Sequence, residues 1–142
     1  MSLRAAFLAL ALALGVAALR PAQADVLIWI DLSEQYMKVE RDGAGLFQWP
    51  VSTARAGKCT PTGTFRPQFL DPDHRSALYD NAPMPWSIFF NGHIAIHGTD
   101  QIDNLGTPAS AGCVRLHPDN AKVLYEMVRE EGLENTLVVV AE

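Results

Sequence analysis

The sequence predicts a β-rich α+β domain with one principal helix, and three observations carry that prediction. Short runs rich in β-branched and aromatic residues recur from Val26 onward, separated by turn residues. Asn91-Gly92 lies between two of these runs, a dipeptide strongly favoured in β-hairpin turns. Only the stretch after Pro118 shows clear amphipathic helical spacing.

Residues 1–24 stand apart from the rest. Arg4 precedes an apolar run from Ala5 to Leu19, and Ala22 and Ala24 place small residues where a signal peptidase reads. The run is shorter than the roughly 20 apolar residues that span a bilayer. A secretory signal over 1–24 is therefore expected, with an uncleaved anchor as the alternative. Residues 25–142 would form one exported domain, in the periplasm or cell wall, with no stable membrane span after cleavage. Removing 1–24 takes away Arg4 and Arg20 and leaves nine basic against sixteen acidic side chains, a net charge of about −7. Such a surface argues against nucleic acid, which selects basic proteins.

The elements follow in order. Val26 to Leu32 is a strand, Ser33-Glu34-Gln35 a polar break, and Tyr36 to Arg41 a second strand. Asp42-Gly43-Ala44-Gly45 is a turn. Leu46 to Thr53 is a third strand, which Pro50 confines to a sheet edge or a bulge. Residues 54–85 hold five of the nine prolines and read as a long loop containing one short strand, Gly63 to Pro67. Trp86 to Phe90 and His93 to His97 form the hairpin around Asn91-Gly92, and a polar loop follows. Pro118 suits the first turn of a helix and Asp119 complements its dipole. Ala121, Leu124, Tyr125 and Val128 make its apolar stripe, and Gly132 closes it. Asn135 to Ala141 is a final buried strand.

Two side chains invite chemistry. His97 ends a strand, and Cys113 lies 16 residues on, in the loop that leads toward the helix. A free thiol is only about 3% thiolate at neutral pH, so a neighbouring imidazole that takes its proton raises its reactivity. Gly112 lets a substrate approach the backbone, and the amides of Gly112 and Cys113 are candidates for holding an oxyanion. Arg115 shares the side of Cys113 if the segment is extended, where a guanidinium holds a carboxylate or favours thiolate. Other readings remain. Cys59 and Cys113 form a disulfide in the first, although two cysteines are sparse for a disulfide scaffold. The second is a metal site at His93 and His97, but on a strand their rings would lie about 13 Å apart.

The longer strings are more specific. Ile96-His97-Gly98-Thr99 followed by Ser110-Ala111-Gly112-Cys113-Val114-Arg115-Leu116 resembles the signature of the L,D-transpeptidase family, the YkuD-type catalytic domains. Thr60 to Phe65 and Met84 to Gly92 resemble two further segments of that family, and the motifs come in the family's order. The resemblance implies a β-sandwich-like mixed sheet with one packed helix. It also implies roles: Cys113 as nucleophile, His97 as general base, and the Gly98 carbonyl orienting the imidazole. Ser110, Gly112 and Arg115 match the remaining motif positions. Many members carry a second histidine where this chain has Ala111, so a mechanism that needs an imidazole there is excluded.

The implied activity is acyl transfer on peptidoglycan stem peptides. The thiolate attacks at the diamino acid of a tetrapeptide stem, D-alanine leaves, and an amine resolves the thioester. The acceptor is a second stem, a lipoprotein lysine or a free D-amino acid; water would give an L,D-carboxypeptidase. A non-catalytic wall-binding domain is the rival from another class, and it needs no Cys–His pair. No cofactor and no metal are expected. Tyr79, Trp86 and His93 are candidates for lining a substrate groove, with core packing the alternative for Trp86. His117 reads as a helix cap or surface residue, His74 as a solvated loop residue, and Cys59 as a small residue near the pocket.

Overall fold

The computed structural model describes residues 24–142. The signal-peptide expectation for 1–24 falls outside them except for Ala24. Val26, Ile28 and Ile30 alternate with half-exposed neighbours in β1 (Val26–Asp31) and turn one face inward. Met37 and Val39 do the same in β2 (Tyr36–Arg41), and the pair is antiparallel with Ile28 opposite Val39. β3 (Ala44–Pro50) completes the expected meander. It lies at the sheet edge, where the missing N–H of Pro50 leaves no ladder bond unmade.

The last strand, β9 (Thr136–Ala141), runs parallel to β1 and lies between it and the short β4 (Gly63–Phe65). The first sheet therefore has the order β3-β2-β1-β9-β4. The second contains β5 (Phe69–Arg75), β6 (Pro83–Asn91), β7 (Ile94–Gly98) and β8 (Val114–Leu116), in that order. Its last pair is parallel. One apolar cluster joins both sheets to α1 (Pro118–Glu131), the single α-helix among the described residues. Fully burying each Ile, Leu or Val of this cluster is worth about 1.5–3 kcal/mol.

The helix matches its sequence signals. Ala121, Leu124, Tyr125 and Val128 are buried as the stripe requires, together with Met127. His117 is the N-cap, its Nδ1 accepting from the Asp119 amide at 3.1 Å. The Gly132 amide donates back to the Val128 carbonyl.

Two expectations need correction. The third strand ends at Pro50, not Thr53. Beyond Val51 the chain crosses to the second sheet, where Ser52 bridges to Arg115 and Ala54 to Ser110. This covers what would be the bare edge of β8. The stretch 54–85 is not one long loop: it holds β4, all of β5 and the start of β6. Polar Asp71-Pro72-Asp73 hid β5, yet β5 is an edge strand, the one place a sheet accepts proline.

The pairing of β5 with β6 breaks at Pro72 and Trp86, where Trp86 adopts φ +57°. Before the break, Phe69 and its partner Phe89 face a cavity; beyond it, His74 and its partner Met84 do. The ribbon has changed faces by one residue.

Candidate active site

The site grows from alternation in the parallel pair β7–β8. Ile96, Val114 and Leu116 point into the core, so Ala95, His97 and Arg115 point the other way. His97 stands opposite Arg115 in register. Cys113, two residues before Arg115, packs against Met84, Phe89 and Ala95 on this outer face. A cavity of about 730 Å³ opens over it, and His97, Cys113 and Arg115 all line it.

The imidazole of His97 is buried, and its Nδ1 lies 2.7 Å from the Gly98 carbonyl oxygen. A carbonyl only accepts, so Nδ1 carries the hydrogen and Nε2 is left free to take a proton. Burial pushes the His97 pKa down to about 4, an effect the Gly98 bond partly offsets and the Arg115 charge adds to. The ring is neutral at physiological pH, the state a general base would need. Burial also raises the Cys113 pKa, against the pull of the Ala95 amide and of Arg115. The resting pair is a neutral thiol and a neutral imidazole. Its thiol sits 3.7 Å from the His93 carbonyl.

Gly98 must be glycine for a steric reason. A Cβ there would come within 3.1 Å of Pro118 Cα and 3.2 Å of Pro85, so the bare backbone lets the helix start close against β7.

The loop before Cys113 is tied down from three sides. The buried Ser110 hydroxyl donates to the Cys113 carbonyl at 2.6 Å and accepts from the Gly112 amide at 3.1 Å. Thr60 Oγ1 donates to the Gly112 carbonyl at 2.8 Å and accepts from the Ala54 amide. Thr53 takes the Ala109 and Ser110 amides on its carbonyl, and Gln35 in turn holds Thr53 at both its amide and its hydroxyl. Among the described residues no buried side-chain nitrogen or oxygen lacks a partner. Gln35, Thr53 and Thr60, which hold this loop, were missed by sequence reasoning. Thr60 begins one of the family-like motifs, the only prior signal for any of them.

The Gly112 amide is thus committed to Ser110 and is not free for an oxyanion, which leaves the Cys113 amide as the candidate donor. The need for glycine is conformational. Gly112 has φ +144°, and an added Cβ would sit 3.0 Å from both the Cys59 carbonyl oxygen and Ile94 Cδ1. Gly112→Ala is expected to cost about 2 kcal/mol of stability, the scale of a single strained residue. It should also displace Cys113 and slow its acylation. A thermal melt and an acylation time course on one preparation check both effects; unchanged values would show that the loop tolerates the side chain.

Of the three groove candidates, Tyr79 and His93 line the cavity. Trp86 does not. It shares the core-facing side of β6 with Ile88 and Phe90, and its ring meets Tyr125 edge-on at 5.3 Å and lies under the Lys122 ammonium. His74, expected in solvent, is in the cavity wall, as is Arg55. Arg115 Nη1 reaches Gln101 Oε1 at 3.2 Å. Both cysteines are free thiols, and that of Cys59 is exposed. Groups of three or more His, Cys, Asp or Glu able to hold a metal are absent among the described residues.

A sandwich of two mixed sheets that places a thiol and an imidazole in the wall of one cavity has the make-up that a cysteine-dependent catalytic domain would need. The L,D-transpeptidase catalytic domain, YkuD, matches residues 25–140, and the chain belongs to that family. An L,D-transpeptidase of Stackebrandtia nassauensis is 27% identical, with TM-score 0.74 over 92% of this chain and 62% of that one. An L,D-transpeptidase from Mycobacterium smegmatis is 24% identical, with TM-score 0.75 over 84% of this chain and 59% of that one. L,D-transpeptidase 3 from Mycobacterium tuberculosis, in complex with a faropenem-derived adduct, shares the fold at 17% identity and TM-score 0.72, over 83% and 60%. The chain thus spans about three-fifths of the length of these solved structures. No curated protein matches it.

Proposed function

We propose that this protein is a peptidoglycan L,D-transpeptidase that uses Cys113 as its nucleophile. The observation that carries the reading is the grouping of His97, Cys113 and Arg115 on one face of β7–β8, under a cavity large enough for a peptide stem. Family membership supports it at the level of chemistry.

Nε2 of His97 takes the thiol proton as sulfur attacks the carbonyl of the diamino acid in a tetrapeptide stem. The oxyanion forms near the Cys113 amide, and His97 returns the proton to the departing D-alanine amine. A thioester remains on Cys113. An amine from another stem, from a lipoprotein or from a free D-amino acid resolves it, and the sulfur leaves as thiol. Arg115, half-buried and on the nucleophile's side of the strand, holds a carboxylate of the stem.

The substrate places the enzyme outside the cytoplasm, in the periplasm or cell wall, and residues 1–24 serve as its signal peptide. Among the described residues no helix is long and apolar enough to cross a membrane.

Incubating tetrapeptide stems with and without an acceptor amine tests the reading. Cross-linked or amine-exchanged product that requires the acceptor is expected. Free tripeptide in equal amounts from both incubations would instead make the protein an L,D-carboxypeptidase, and intact stem in both would overturn the assignment.

A further inference from the structure

We propose that His74, oriented by Asp71, is a second proton acceptor in the cavity and takes the proton that the acceptor ammonium must lose before it resolves the thioester on Cys113. The proposal rests on the transpeptidase reading above and concerns its second half-reaction.

The observations come from the β5–β6 ribbon. His74 lines the same cavity as Cys113 and His97. Its Nδ1 lies 3.0 Å from Asp71 Oδ2, which leaves Nε2 as the nitrogen able to accept a proton. The Asp71 carboxylate is itself fixed, its other oxygen taking the Asp73 amide at 3.1 Å. The imidazole packs edge-on against Phe89 at 4.8 Å between centroids, and Phe89 belongs to the apolar cluster that Cys113 packs against. Asp71 and His74 are three residues apart and would face opposite sides of a regular strand. The break at Pro72 and Trp86 brings them together. The chain therefore has an oriented imidazole in the cavity although position 111 is alanine.

Proton counting gives this imidazole a task. An amine acceptor enters as ammonium, and forming the amide removes two protons from its nitrogen. One passes through His97 to the departing Cys113 sulfur and restores the thiol. The other must leave first, or the nitrogen has no lone pair to attack with. His74 takes it and releases it to solvent, so the sum is thioester plus ammonium giving amide, thiol and one solvent proton. Attack by water needs no such first step.

The test compares two acceptors in the full-length protein. With a D-amino acid, an ammonium near neutral pH, His74→Asn is expected to slow transfer about 10²-fold more than it slows acylation, the low end for a lost acid–base group. Asp71→Asn should shift the same ratio in the same direction, by less. With hydroxylamine, largely unprotonated near neutral pH, transfer by His74→Asn should stay within about twofold of wild type, because there is no first proton to remove. Equal loss with both acceptors would make His74 a structural residue, and no loss with either would remove it from the reaction. Both outcomes overturn the proposal while acylation of Cys113 by the stem stands. Absence of that acyl-enzyme in the wild type would instead overturn the transpeptidase reading itself.

Discussion

Cys113→Ala is expected to abolish covalent capture of a penem or carbapenem, which the wild type should take up once per chain. A β-lactam carbonyl is a reactive stand-in for the stem carbonyl, so the adduct reports the first half-reaction alone. Removing a nucleophile that acts as one unit with its base costs as much as removing the whole unit, about 10⁴-fold or more in rate. Intact mass spectrometry reads the result directly. The second cysteine supplies the control. Cys59 is exposed, whereas burial raises the Cys113 pKa. A general alkylating agent therefore favours Cys59, and only an acylating agent that fits the cavity selects Cys113. Cys59→Ser should keep the β-lactam adduct and lose the fast alkylation. An adduct that persists in Cys113→Ala and disappears in Cys59→Ser would reverse the assignment.

What could be read in the sequence follows from how local each signal is. The helix was legible because its cap, stripe and closing glycine all lie within Pro118 to Gly132, and each satisfies a requirement of the helix itself. The hairpin at Asn91-Gly92 was legible for the same reason, with Gly92 at φ +59° in the turn. Cys113 and His97 came from motif spacing, and the parallel register of β7 and β8 explains it: the loop between them must return the chain to the same end of the sheet. The missed features are non-local. Gln35 reaches the Cys113 loop only through Thr53, which the chain delivers after leaving the first sheet. His74 was assigned to solvent because the left-handed Trp86 in β6 changes which face the ribbon shows, and no pattern of period two anticipates that. For Trp86 the core alternative is the one the structure shows.

His97→Gln should slow acylation by about 10²- to 10⁴-fold, the range for a positioned general base, and leave the fold intact. Two pH profiles separate this base from a histidine that only packs. The first is kinetic. The free enzyme holds its imidazole neutral down to about pH 4. The rate of acylation should therefore stay level through pH 6.5, where an ordinary imidazole would already protonate, and fall only near 4. The second is thermodynamic. The folded pKa lies below the ordinary 6.5, so between those values the unfolded chain binds a proton that the folded one refuses. His97 contributes its full stability above pH 6.5, and that contribution is lost as the pH falls to about 4, where it amounts to about 3 kcal/mol. Glutamine has no such proton. His97→Gln should accordingly gain stability relative to wild type by about that amount between neutral pH and pH 4, as read from denaturant midpoints. Parallel stability curves, or an acid limb of acylation near 6.5, would show an imidazole open to solvent. Such a ring would protonate and stop serving as a base at mildly acidic pH, where the buried one still can.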